Sequence, residues 1–141
     1  MLKEMQVINA VQKLLNDSGY ETISVVDKTS RQGPDLIVRS PTGINELSIE
    51  AKGATSSNEA SKRFNHPFDR NQIESHIGKA LLTSMKIISR GDEHLLAGIA
   101  LPRNHQVIID SIGFALSKLG LIVFLVSDDG TASIHLGKLP S

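Results

Sequence analysis

With 141 residues and a mass of 15.3 kDa, the chain has room for one hydrophobic core, and we expect a single domain over residues 1–141. Fifteen Lys and Arg residues balance fifteen Asp and Glu residues, which argues against a globally basic nucleic-acid-binding protein. Cysteine is absent, which excludes disulfides, Cys-ligated zinc, iron–sulfur clusters and thiol nucleophiles. No stretch approaches the roughly 18 apolar residues of a membrane span, so we predict a cytoplasmic protein with no membrane partner.

The first third of the chain predicts one helix followed by three strands. Apolar residues recur at three- and four-residue steps over residues 2–15, which predicts an amphipathic helix that ends near Gly19. Short β-branched runs at residues 22–26 and 36–38 are typical of strands. Residues 46–52 alternate polar and apolar side chains after a turn at residues 40–43, so we expect the second and third strands to form a hairpin.

The rest of the chain predicts helices alternating with strands. Residues 53–71 show little periodicity, and we interpret them as a functional or mobile loop. Residues 72–88 have helical apolar spacing, and the apolar runs at 95–101 and 121–126 predict strands covered on both faces. Between those strands we expect one helix capped by Gly120, and after them an edge strand at 131–136. The apolar residues expected to face inward on that helix are Val107, Ile108, Ile112, Ala115, Leu116 and Leu119.

The order α-β-β-β-α-β-α-β-β predicts an α/β fold with a mixed sheet and helices on both faces. One group of polar residues is notable within it. Asp35 opens the second strand, and Glu50 and Lys52 end the third. Side chains two apart on a strand share a face, so Glu50 and Lys52 project together while Ile49 and Ala51 point into the core. An antiparallel hairpin brings Asp35 beside Glu50, and two carboxylates and an ammonium converge.

This group suits phosphodiester hydrolysis. The reaction needs a water brought to a phosphorus that anionic oxygens surround, and it needs stabilisation of the charge on the leaving oxygen. Mg²⁺ serves both needs and is usually held by one or two carboxylates plus substrate phosphate, a role for Asp35 and Glu50. The carbonyl of Ala51 could complete the metal's ligands. Lys52 could orient or help to deprotonate the attacking water and offset negative charge.

The stretch Pro34-Asp35, the hairpin and Glu50-Ala51-Lys52 resembles the PD-(D/E)xK motif of the restriction-endonuclease-like nucleases, including their α-β-β-β-α-β core. The resemblance implies a divalent metal, Mg²⁺ with Mn²⁺ as a substitute, bound by Asp35 and Glu50, and Lys52 as the catalytic lysine. Many members carry a metal-side Glu on the first helix, for which Glu4 is the candidate. In several branches a Gln early in the helix after the motif supports the site, which Gln72 could do here.

Local charge predicts where nucleic acid would bind. Residues 62–90 carry six basic residues, Lys62, Arg63, Arg70, Lys79, Lys86 and Arg90, against the two acidic residues Asp69 and Glu74. This excess fits contacts to phosphates, and we expect DNA as the partner. One site cuts one strand, so cutting a duplex predicts a homodimer.

Simpler interpretations stay open. Asp35 after Gly33-Pro34 is also typical of a turn, and Glu50 and Lys52 are also typical of a solvated strand face. Glu4 also suits a helix N-terminus because of the helix dipole. The five histidines have no metal-ligand spacing, and we assign them no role. A catalytically inactive nuclease-like module that binds nucleic acid or a protein partner is the alternative function.

Overall fold

The computed structural model of the chain describes residues 1–26, 33–55 and 68–141. Within these residues it contains four α-helices and six strands. The helices are α1 (Glu4–Asp17), α2 (Arg70–Ile88), α3 (Gln106–Ser111) and α4 (Gly113–Lys118). The strands are β1 (Glu21–Val25), β2 (Leu36–Arg39), β3 (Glu46–Ala51), β4 (Leu95–Pro102), β5 (Ile122–Val126) and β6 (Ala132–Leu136). Most of the segment that we interpreted as a functional or mobile loop, residues 56–67 with Lys62 and Arg63, lies outside the described residues.

The six strands form one mixed sheet whose spatial order follows the sequence, from β1 to β6. β1, β2 and β3 pair antiparallel, so the predicted hairpin of β2 and β3 is confirmed. β4 lies parallel to β3, and β5 lies parallel to β4, with α2 and the pair α3 and α4 as the connections. β6 returns antiparallel to β5. The mixed α/β sheet predicted from the sequence is present.

Helices cover both faces of this sheet, as its apolar strands predict. On one face Val7, Ile8 and Val11 of α1 pack against a cluster that includes Leu47 and Phe124. On the other face Ile73, Ile77 and Ala80 of α2, with residues of α3 and α4, pack against β4 and β5. All five residues of β5 are buried because both of its faces are covered.

The prediction of one continuous helix between β4 and β5 is wrong. The backbone leaves the helical region at Ile112, with φ −123° and ψ 14°, and two six-residue helices result. Ile109 and Leu116 are the buried residues of these helices, whereas Val107 and Leu119 are 75% and 42% exposed, and Ala115 is exposed too. Because the break separates the two helices at Ile112, the apolar spacing does not continue as one inward stripe.

None of the helices that the structure describes is long and apolar enough to cross a membrane.

Candidate active site at the end of the β2–β3 hairpin

The site lies where β2 begins and β3 ends. β2 and β3 pair with Leu36 opposite Ile49, and one step further along this register Asp35 lies opposite Glu50. Asp35 is 8% exposed, and its Oδ2 atom accepts a hydrogen bond from the backbone N–H of Ala51 at 2.8 Å. The Asp35 carboxylate therefore replaces the next backbone hydrogen bond between β2 and β3. It brings Asp35 into direct contact with Ala51, 16 residues away in the sequence.

Pro34 ends the ladder at this point. Continuing the register places Pro34 opposite Ala51. Proline has no backbone N–H, so Pro34 cannot donate a ladder bond to the Ala51 carbonyl. The sequence Pro34-Asp35 thus does two things at once: it leaves this carbonyl without a donor from β2, and it supplies a carboxylate to the Ala51 amide.

Lys52 faces Glu50 from the end of β3. The Lys52 Nζ atom lies 3.7 Å from Glu50 Oε1, and the two side chains are 21% and 15% exposed. The backbone N–H of Lys52 donates to the Ala100 carbonyl of β4 at 3.0 Å, which fixes the backbone at this position. The side chain therefore projects from an ordered strand end. The three residues that the motif predicted to converge do lie together.

Glu4 reaches the same place from α1. The Ala54 N–H donates to the Leu2 carbonyl at 2.8 Å, which ties the start of α1 to the chain that leaves β3. Between them, a Cβ on Gly53 would lie 2.6 Å from the Glu4 backbone nitrogen, so only glycine allows this approach. The Glu4 carboxyl then lies within hydrogen-bonding range of Asp35. Three carboxyl groups and one ammonium share the site.

The pKa values of the carboxyl groups reflect this crowding. Burial, then the neighbouring Asp35 charge, raises the pKa of Glu50 to about 7. Burial and Asp35 also raise the pKa of Glu4, and burial raises the pKa of Asp35 against the opposing effects of the Ala51 N–H and Lys52. When protonated, the Glu50 and Glu4 carboxyl groups can donate hydrogen bonds to Asp35.

This donor set fits a divalent cation, because the carboxyl groups outnumber the ammonium and a cation can offset their negative charge. Asp35, Glu50 and the Ala51 carbonyl are the ligands that the arrangement offers. Within residues 1–26, 33–55 and 68–141, no group of three or more His, Cys, Asp or Glu side chains is arranged to hold a metal ion. The role of Glu4 on the metal side of the site stays a prediction.

Gln72 occupies the first turn of α2, where its side chain serves the helix end. Its Oε1 atom accepts from the Asp69 N–H at 2.8 Å, and Asp69 Oδ1 accepts from the Gln72 N–H at 2.9 Å. This reciprocal pair is a capping box, which satisfies backbone donors at the start of the helix. The role of Gln72 at the site stays a prediction.

Two histidines to which the sequence led us to assign no role lie near the site. His76 follows Gln72 by one helical turn, and the positive charge of Lys52 contributes to lowering its pKa, after the larger effect of burial. His105, after β4, is fully buried. Burial and His76 lower the pKa of His105 to about 4. The sequence signal that could have indicated the position of His76 near the site is its spacing of one helical turn from Gln72.

A groove of about 530 Å³ adjoins the site. It begins at Pro34 and runs along the face of the hairpin to the chain between α2 and β4. Its lining includes the charged residues Arg39, Glu46, Arg90 and Asp92, together with His94. Within the described part of the chain, neither Arg39 nor Arg90 has a carboxylate within ion-pair distance. Both guanidinium groups therefore remain available to a ligand.

Comparisons of the chain with protein-family models, with curated proteins and with solved structures give no match. The functional interpretation therefore depends on the geometry of the site itself.

Proposed function

We propose that this protein is a Mg²⁺-dependent endonuclease with a restriction-endonuclease-like fold that hydrolyses phosphodiester bonds in DNA. The observation that carries the proposal is the contact of Asp35 with Glu50, beside Lys52, at the end of one hairpin. Buried carboxyl groups are costly to ionise, and a cluster of them with one ammonium is a common arrangement in sites that bind a metal and a phosphate.

Each residue then has a chemical task. Asp35, Glu50 and the Ala51 carbonyl would hold Mg²⁺, with Glu4 next to Asp35. A bound Mg²⁺ supplies a Lewis acid for the phosphoryl oxygen and lowers the pKa of a bound water. Lys52 donates N–H groups to the phosphate oxygens, where negative charge builds as the reaction proceeds. The half-buried position of Lys52 strengthens that interaction because the surroundings screen charge less than water does.

The groove supports a nucleic-acid substrate. Asp35, Ile37 and Arg39 alternate on one face of β2, and the groove is lined by Pro34, the residue before Asp35, and by Ile37 and Arg39. Four residues of strand separate Asp35 from Arg39, about 13 Å at the usual rise per residue. A polymer with regularly spaced phosphates can occupy the site and contact Arg39 and Arg90 at the same time. For cleavage of both strands of a duplex we propose a homodimer.

Cleavage assays test this function. Labelled duplex, single-stranded and branched DNA are incubated with the protein in Mg²⁺ or Mn²⁺. The Asp35→Ala and Lys52→Ala variants should lose about 10²–10³-fold in rate, as expected when one group that stabilises developing charge is removed. Lys13→Ala is the matched control, because Lys13 pairs with Asp17 on the exposed side of α1. Undiminished cleavage by both site variants would exclude the proposed site.

The alternative is an inactive nuclease-like module that binds nucleic acid or a protein. The observation in its favour is the lack, among the described residues, of a group of three or more His, Cys, Asp or Glu side chains arranged to hold a metal. Calorimetry separates the two functions. The nuclease should bind Mn²⁺ in a manner that depends on Asp35 and Glu50, whereas the module should show no such binding.

A further inference from the structure

A short series of polar side chains extends from the end of β4 to α2, near Lys52. Its first member is Asn104, whose Oδ1 atom lies 2.7 Å from Nδ1 of His105. Because a carboxamide oxygen only accepts hydrogen bonds, the His105 Nδ1 atom must carry the proton. His105 is fully buried and its pKa is about 4, so at neutral pH the ring is uncharged. Its Nε2 atom is therefore a bare acceptor.

That acceptor has no hydrogen-bond partner among the residues that the structure describes. The same holds, within this part of the chain, for a second buried ring atom, Nδ1 of His76. The His76 ring packs edge-on against Phe68, with 4.4 Å between ring centroids and an interplanar angle of 86°, which holds its orientation. Ile77, next to His76, packs in one buried cluster with Leu101 and Ile109, which lie on either side of His105 in the sequence. The two rings therefore lie in the same region, and the charge of His76 contributes to lowering the pKa of His105.

Two unpaired nitrogens on neighbouring buried rings require an explanation, because burying an unsatisfied polar atom costs free energy. A proton on His76 Nδ1 resolves both, since His76 then donates toward the His105 Nε2 acceptor through one ordered water. This arrangement fixes the His76 tautomer. Because Nδ1 is on the buried edge of a half-buried ring, the lone pair of Nε2 is on the outer edge.

The proposed hydrolysis needs such a lone pair to accept a proton from the attacking water. The Lys52 ammonium, paired with Glu50, carries three N–H donors and no lone pair, so in that state it cannot take a proton from water. His76 lies near Lys52, because its ring packs against Phe68, and the Phe68 backbone N–H donates to the carbonyl of Ala54, two residues after Lys52, at 3.3 Å. A neutral imidazole with a free Nε2 atom is the usual proton acceptor in proteins near neutral pH.

We propose that His76 is a further catalytic residue, whose Nε2 atom accepts a proton from the attacking water, and that Asn104 and His105 are positioning residues that hold its tautomer. The inference rests on the proposed phosphodiester hydrolysis. In this step the water oxygen bonds to phosphorus and the bond from phosphorus to the leaving oxygen breaks. One water proton passes to His76 Nε2, and solvent supplies a proton to the leaving oxygen.

Nitrogen NMR tests the tautomer without any substrate. Long-range proton–nitrogen correlation spectra of the ¹⁵N-labelled full chain at pH 7.5 should show His76 and His105 protonated at Nδ1 and bare at Nε2. In the Asn104→Ala variant, His105 loses the acceptor that fixes it, and the His76 signals should move toward the Nε2-protonated form. A wild-type His76 that is protonated at Nε2 overturns the inference.

Kinetics test the catalytic role. His76→Asn keeps an amide donor near the Nδ1 position but removes the Nε2 acceptor, so kcat should fall about 10²–10³-fold, within the range for loss of a general base. KM and the melting temperature should change little. His135→Asn is the matched control, because His135 on β6 contacts Asp110 on α3, and the kcat of this variant should stay at the wild-type value.

The outcomes distinguish the two proposals. A wild-type protein that cleaves DNA, with kcat retained in His76→Asn, overturns the role of His76 and leaves the proposed nuclease intact. A wild-type protein that cleaves no DNA in either metal overturns the nuclease and the catalytic role of His76 together, whatever the NMR spectra show.

Discussion

The two ends of one strand pair carry charged residues in very different surroundings. At the first end, Asp35 lies opposite Glu50; at the second, Arg39 lies opposite Glu46. The first end is enclosed by Lys52 and by the start of α1, and Asp35 and Glu50 are mostly buried. At the second end Arg39 is exposed, and it has no ion pair within the described part of the chain. We call these the enclosed end and the open end.

The difference is one of burial. At the enclosed end, burial raises the pKa values of both carboxyl groups. At the open end, water screens the charges, and only the exposed Arg39 guanidinium can attract a phosphate. The same strand register thus provides a candidate reaction centre at the enclosed end and a candidate phosphate contact at the open end. The packing around each end makes the difference.

The largest expected effect is on kcat, and it distinguishes the enclosed end from the open end. Glu50→Gln should lower kcat about 10³-fold, because a proposed metal ligand at the reacting phosphate is lost. Glu46→Gln, four residues earlier on the same strand, should keep kcat within about twofold and lower KM, because removing a groove carboxylate reduces repulsion of phosphate. Steady-state cleavage of duplex DNA in Mg²⁺ measures both. Equal kcat losses would show that the enclosed end has no special role.

The second effect concerns the helix side of the enclosed end and depends on pH. His105 has a pKa of about 4 in the folded protein against an ordinary value of 6.5, so below pH 6.5 the unfolded chain takes up the proton first. Stability is therefore full above pH 6.5 and falls by on the order of 3 kcal/mol as the pH drops to 4. Urea denaturation of wild type and His105→Gln should show this loss in the wild type only. The same pH dependence of stability in both proteins would contradict the lowered pKa of His105.

The third effect is a loss of stability as the pH rises, opposite in direction to the effect of His105. The folded pKa of Glu50 is raised to about 7 from 4.5, so its favourable contribution is present below pH 4.5 and is lost as the pH rises through 7. At pH 8 with a chelator present, Glu50→Gln should be more stable than wild type by about 1–3 kcal/mol. Glu46→Gln should differ from wild type by less than about 0.5 kcal/mol. Added Mg²⁺ should stabilise only proteins that retain Glu50, as thermal denaturation can show.

The smallest effect probes the open end. Arg39→Ala and Arg90→Ala should each raise the KM for duplex DNA about tenfold, the equivalent of about 1.4 kcal/mol, with kcat retained. The salt dependence of binding should weaken by about one counterion for each phosphate that the variant can no longer bind. Lys13→Ala, on α1, is the control for a general loss of positive charge. A fall in kcat with constant KM would mean that these arginines act at the enclosed end.

Much of the fold followed from local patterns. Alternation over residues 46–52 predicted which side chains of β3 face the core, and Leu47, Ile49 and Ala51 are buried as expected. The turn before β3 predicted the hairpin, and the hairpin brought Asp35 to Glu50. The pattern failed after β4, where apolar spacing predicted one helix and the chain breaks at Ile112. Spacing alone does not reveal a backbone break in a helix.

The sequence by itself determined the strand alternation, the hairpin and the meeting of Asp35, Glu50 and Lys52, because these depend on neighbours in one strand pair. Only the tertiary structure decided that Glu4 lies against Asp35, that His76 and His105 are neighbours, and that a groove leads to Arg39. These contacts join segments far apart in the chain. Their geometry depends on how helices pack on the sheet, and no local periodicity encodes that packing.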